Sequence, residues 1–140
     1  MGAVRDTAAV ALGSAIGSVG RWGVAGVVQA AAGSGFPWGT LAVNTVGSFL
    51  IGLLAAVTAP GGRLPAGPAA RFFLMAGFCG GFTTFSAFAL DTLLLVQHGA
   101  GRTALLYAVV SAPLWLAGVI AGWRLGLRLD RRRPPARPSL

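Results

Sequence analysis

The sequence predicts an all-α membrane protein with four transmembrane helices and a break in the third. Three observations carry this. The first is composition. Of 140 residues, 55% are hydrophobic and 10% charged, and neither glutamate nor lysine occurs. Soluble domains carry about 25% charged residues, so this chain cannot clothe a water-facing surface with its own side chains. The mean hydropathy of +0.75 agrees. The second is patterning. Four apolar runs cover residues 7–32, 38–59, 69–96 and 103–123, each near the ~20 residues needed to cross a bilayer. The third is the lack of strand-like alternation. Lipid offers backbone groups no partners, so the runs should be helices. Residues 1–125 read as the membrane domain and 126–140 as an Arg/Pro-rich cytoplasmic tail.

The first run carries Gly13 and Gly17 at a spacing that lets helices approach closely. It is too long for a signal peptide and contains Arg21. An intramembrane arginine is a functional candidate. Its structural alternatives are snorkelling to an interface or bonding to the carbonyls of a broken helix. The second run holds Asn44, the sole asparagine, with Thr40 one turn before it and Ser48 one turn after. Such a stripe is either interhelical glue or a row of donors along a pore.

The third run contains Gly77-Phe78-Cys79-Gly80-Gly81-Phe82-Thr83-Thr84-Phe85-Ser86. Three glycines and three hydroxyls in a hydrophobic span predict a helix break. Irregular backbone at that depth survives only when buried in protein or lining a polar cavity. Broken helices of this kind make ion sites, with carbonyls for cations and helix N-termini for anions. Asp91 falls late in this run, in a vestibule or near the headgroups. The fourth run pairs Tyr107 with Ser111, just before Pro113. It then repeats Gly118, Gly122 and Gly126 at packing spacing. The links at 33–37, 60–68 and 97–102 each hold Gly or Pro, as turns require.

Charge sets orientation. The N-terminus, the second link and the C-terminus share one side of a four-helix bundle. They carry Arg5, Arg63, Arg71, Arg124, Arg128, Arg131, Arg132, Arg133 and Arg137, against Arg102 opposite. Positive-inside logic puts both termini in the cytoplasm. The arginine-rich end reads as a solvated juxtamembrane tail on anionic lipid. Without aromatic interleaving or a folded module it does not read as a nucleic-acid site. Three Asp, one His and one Cys are too few for a side-chain metal cluster or a disulfide framework. No nucleophile–base pair marks an enzyme.

The run from Gly77 to Ser86 resembles the signature of the Fluc/CrcB fluoride channels. Trp38-Gly39-Thr40 through Asn44 to Gly47-Ser48-Phe49 resembles that family's second-helix motif. Gly13 through Gly20-Arg21-Trp22 resembles its first-helix motif. The resemblance implies a fluoride-selective channel in the bacterial plasma membrane that lowers cytoplasmic fluoride by passive export. It implies subunits paired as antiparallel dimers, with a structural Na⁺ at the dimer centre held by backbone carbonyls. Gly77 and Gly80 match the carbonyl positions. Phe82 and Phe85 match the phenylalanines whose ring edges face fluoride. Asn44 matches the pore asparagine, and Tyr107 and Ser111 the fourth-helix polar positions.

The chemistry agrees. Fluoride is small and strongly hydrated, so a pore must replace water with donors: the Asn44 amide and the hydroxyls of Thr40, Ser111 and Tyr107. Aromatic edges are electropositive. Neutral donors also let the ion leave again. Two other classes compete. A small multidrug-type exporter is also four-helix and antiparallel, but its proton exchange needs a membrane carboxylate, and Asp91 sits in the wrong segment. A non-transporting scaffold would explain the glycine pairs but not Asn44 or the predicted break. The nine-to-one arginine bias is a departure, since an antiparallel homodimer needs one chain to insert both ways. Pairing with a homologous subunit of opposite bias would resolve it, as would topology decided after assembly.

Overall fold

The computed structural model describes residues 2–131, and these are all-helical, with no strand among them. Arg132, Arg133 and Arg137, with the rest of the expected tail after Arg131, lie outside the described residues. Helix α1 spans Gly2–Ala32. It stops where Gly33 adopts a φ of +90°, which a side chain would resist. Gln29 organises the link that follows. Its Nε2 donates to the carbonyls of Gly33 and Phe36, and its Oε1 accepts from the Gly39 amide.

Helix α2 spans Trp38–Val57. The link after it is tied at both ends: Arg71 donates to the Thr58 hydroxyl, and Arg63 to Asp130 and the Leu129 carbonyl. The third crossing then runs in pieces. Short α3 (Pro68–Arg71) begins with proline at its first turn, where the missing N–H costs nothing. A π-helical stretch, Phe72–Cys79, follows, then α4 (Gly80–Phe82). Thr83 and Thr84 are extended, and α5 (Phe85–Gln97) resumes. Helix α6 spans Gly101–Arg131, with Pro113 inside it, and continues unbroken past residue 125.

Among the described residues, three stretches are long and apolar enough to cross a membrane: Trp38–Val57, Pro68–Gln97 and Gly101–Asp130. This is a multi-pass membrane architecture. Helix α1 matches them in length but is diluted by glycine, serine and Arg21.

Glycines decide the packing. A Cβ on Gly13 would strike the backbone of Phe73, Gly77 and Phe78, and one on Gly17 that of Phe78 and Phe82. The numbers rise together, so α1 runs parallel to the π-helical stretch. Gly118 meets Thr45 and Phe49, Gly122 meets Phe49 and Leu53, and Gly126 meets Leu53 and Ala56. Helices α2 and α6 are therefore also parallel. Both glycine series singled out in the sequence sit at helix contacts. The buried core gathers Leu41, Val43 and Asn44 of α2, Cys79 and Phe82 of the third crossing, and Ala104, Tyr107 and Ser111 of α6. Helix α5 buries no residue.

Candidate functional site: the break in the third crossing

The helix breaks as the third run predicts, but not at its glycines. Gly77, Gly80 and Gly81 stay helical, and the extended residues are Thr83 and Thr84. Branched side chains suit extended backbone. What holds the break open is Asn44. Its Oδ1 accepts from the Thr84 amide at 2.7 Å, and its Nδ2 donates to the Thr84 carbonyl at 2.9 Å. The Thr84 hydroxyl caps α5 by accepting from the Ala87 amide at 3.1 Å. It also shares a hydrogen bond with Ser86.

These bonds divert two amides from their helical partners. In a continuous helix the Thr84 N–H would serve the Gly80 carbonyl, and the Ala87 N–H the Thr83 carbonyl. Both carbonyls are thereby released. The other side of the break is satisfied from α1. Ser14 donates to the Gly77 carbonyl, and Ser18 and Arg21 donate to that of Gly81, the Arg21 Nε at 3.1 Å. Arg21 thus bonds to broken-helix backbone, one of the alternatives read from the sequence. Gly77 and Gly80 lie on different faces. Gly77 is buried against Gly13 and Val10 of α1 and also receives the Gly80 amide, whereas Gly80 is exposed.

The aromatic residues part in the same way. Phe82 is 5% exposed and stacks on Phe78, with ring centroids 5.8 Å apart. Phe85 is 71% exposed and meets Phe88 at 5.5 Å. Phe88 in turn packs on Tyr107 at 5.0 Å and on Trp115, edge to face, at 5.1 Å. The ring pair that reaches the fourth-helix polar residues is therefore Phe85 and Phe88. Phe88 was legible as the residue one turn beyond Phe85 on the same face.

Around this core the polar groups form a track. Thr40 donates to Asp91 at 2.6 Å. The Tyr107 hydroxyl is buried beside that pair and makes no hydrogen bond of normal geometry. Ser111 donates to the Tyr107 carbonyl at 2.6 Å. A cavity of about 450 Å³ meets the track at one end, lined by Gln29, Thr40, Asp91 and His98. A second, of about 330 Å³, adjoins Arg21, Thr40 and Thr84. A third, of about 260 Å³, lies at the break among Asn44, Ser48, Gly80, Thr83, Phe85 and Trp115. Among the described residues no three His, Cys, Asp or Glu side chains gather to hold a metal.

The fold and site define a multi-pass helical membrane protein with a polar track beside an asparagine-clamped helix break. Comparison with known proteins sharpens this. The family described as CrcB-like protein, Camphor Resistance (CrcB), matches residues 8–123, and the chain belongs to it. It is similar to the fluoride-specific ion channel FluC of Agrobacterium fabrum, 50% identical over 89% of this chain and 98% of the relative. It is also similar to FluC 1 of Rhodopseudomonas palustris, 45% identical over 91% and 94%. A FluC of Thermus thermophilus is 49% identical over 84% and 91%.

Proposed function

We propose that this protein is a fluoride-selective channel that lets fluoride leave the cell passively, and is not an enzyme. One observation carries the reading: a helix break clamped by Asn44 beside a track of neutral donors and aromatic rings. Its relatives' common name, fluoride-specific ion channel, supports it.

The side chains divide the labour. Asn44 has two N–H donors and commits one to Thr84, so the other is available to an anion. Thr40 gives its proton to Asp91 at rest and must turn to meet fluoride. Tyr107 supplies a hydroxyl that lies beside Thr40 and Asp91 without a hydrogen bond of normal geometry. Ser111 gives a second by leaving the Tyr107 carbonyl. Phe85 and Phe88 offer electropositive edges. Phe82, packed inside the subunit, serves the fold instead. Arg21 spends its Nε on the Gly81 carbonyl and holds the break while biasing the neighbouring cavity toward anions.

The subunit works as half of an antiparallel dimer in a bacterial plasma membrane, with all four runs crossing and both termini cytoplasmic. Residues Ala76, Gly80, Phe85, Ser86 and Ala89 lie exposed along one stretch of the third crossing, which suits a partner helix better than lipid. The released carbonyls of Gly80 and Thr83 fit a hard cation such as Na⁺, which takes oxygen ligands. Two from each subunit would join the dimer electrostatically. Gly80 keeps its expected role, while Thr83 replaces Gly77, whose carbonyl is bonded within the chain. The arginine bias favours a partner of opposite bias over a second copy.

The exporter reading lacks a glutamate, and a scaffold needs no clamped break. Fluoride efflux from liposomes holding the purified chain tests the proposal. Fast efflux of fluoride without chloride is expected from this chain alone or from its co-expressed homologous partner. Absence of efflux in both preparations, with folded protein, overturns it.

A further inference from the structure

Two buried side-chain donors make no hydrogen bond of normal geometry among the described residues: the Tyr107 hydroxyl and the Trp115 indole Nε1. Tyr107 belongs to the track already described. Trp115 does not, and it stands one turn beyond Ser111 and two beyond Tyr107 on the same face of α6. Its ring sits edge to face against Phe88 and lines the break cavity with Asn44, Ser48 and Phe85. On α2, Thr40, Asn44 and Ser48 follow the same four-residue spacing. Because α2 and α6 are parallel, the two rows climb together.

We infer that Trp115 is a fluoride-binding residue, its indole N–H donating to the ion in the break cavity. This rests on the fluoride-channel reading. A buried N–H without an acceptor is costly, and an anion entering the cavity supplies what the chain withholds. The indole donates only, so it discriminates against cations. Its nitrogen is covered by its neighbours, so the indole must turn toward the cavity for the ion to reach it. Ser48 adds a hydroxyl on the facing row of the same cavity.

The test reads binding and flux separately, in the assembly that conducts. Indole ¹⁵N–¹H spectra of the four tryptophans are followed during fluoride titration, with Trp115→Phe assigning the Trp115 signal. Fluoride is expected to move that signal downfield, while equal chloride leaves it in place. Trp115→Phe keeps the ring and is expected to slow fluoride efflux about tenfold, the loss of one hydrogen bond to a charge. Trp115→His, which restores an N–H, is expected to recover part of it. A Trp115 signal indifferent to fluoride in a conducting wild-type preparation overturns the inference, as does a folded Trp115→Phe assembly with wild-type efflux. A wild-type preparation that does not conduct overturns the channel reading itself.

Discussion

The two halves of the third crossing share a sequence neighbourhood and little else. The half before the break is pressed backbone to backbone against α1 through Gly13, Gly17, Gly77 and Gly81. Serine and arginine stitch its carbonyls down. The half after it, α5, buries no residue and is held by one amide clamp, one hydroxyl–carboxylate bond and a cluster of rings. Close packing is concentrated before the break, and exposed side chains after it. A subunit can then present loosely covered polar and aromatic groups without losing its fold.

Matched glycine substitutions test this contrast most severely. Gly17→Leu would drive a side chain into the Phe78 backbone and cost about 3 kcal/mol. Folded protein should vanish from size-exclusion profiles. Gly80→Leu meets only the Met75 carbonyl, at 4.0 Å, so the helical subunit should survive while the proposed dimer is lost. Circular dichroism alongside crosslinking separates the two results, and equal behaviour would erase the distinction.

Asn44→Leu comes next. It strands the amide and carbonyl of Thr84, each worth about 1–3 kcal/mol when left buried and unpaired. Fluoride efflux should fall by about a hundredfold, or roughly 2.7 kcal/mol, with a lowered melting temperature. Phenylalanine swaps are gentler and more selective. Phe88→Ile should slow efflux about tenfold with little change in melting. Phe82→Ile should cost about 1 kcal/mol of stability and leave efflux near wild type. The reverse pattern would return the pore to Phe82. Arg21→Gln should lower stability by about 1 kcal/mol through loss of the Gly81 bond. The smallest effect is expected from Thr40→Val, about a threefold loss of efflux from one neutral donor.

Much of this was legible in the sequence. Apolar runs and glycine spacings announced helices and their contacts because lipid permits few alternatives. The break was legible in its segment but not in its residue. Glycine's freedom pointed to 77–81, whereas a side chain 40 positions away settles it at Thr84. Propensity cannot register so remote a partner. The placement of the phenylalanines was hidden for a related reason: Phe82 stacks on Phe78, and Phe88 meets Tyr107. The motif holds several phenylalanines, and which of them faces α6 depends on the turn lost at Thr83 and Thr84. Trp115 left a faint trace, a third member in a four-residue series, which its size disguised as ordinary apolar filling.

The partner of α1 is made late. Ser14 waits for Gly77, 63 residues on, and at a synthesis rate of about 5–20 residues per second this delay is roughly 3–13 s. Throughout it Gly13, Gly17 and Arg21 of α1 are without the backbone they meet in the finished molecule. The seam between α1 and the backbone around Gly77 is therefore closed only after the intervening residues have been made. Slowing translation between α2 and the third crossing should lower yield without altering a single contact in the finished molecule.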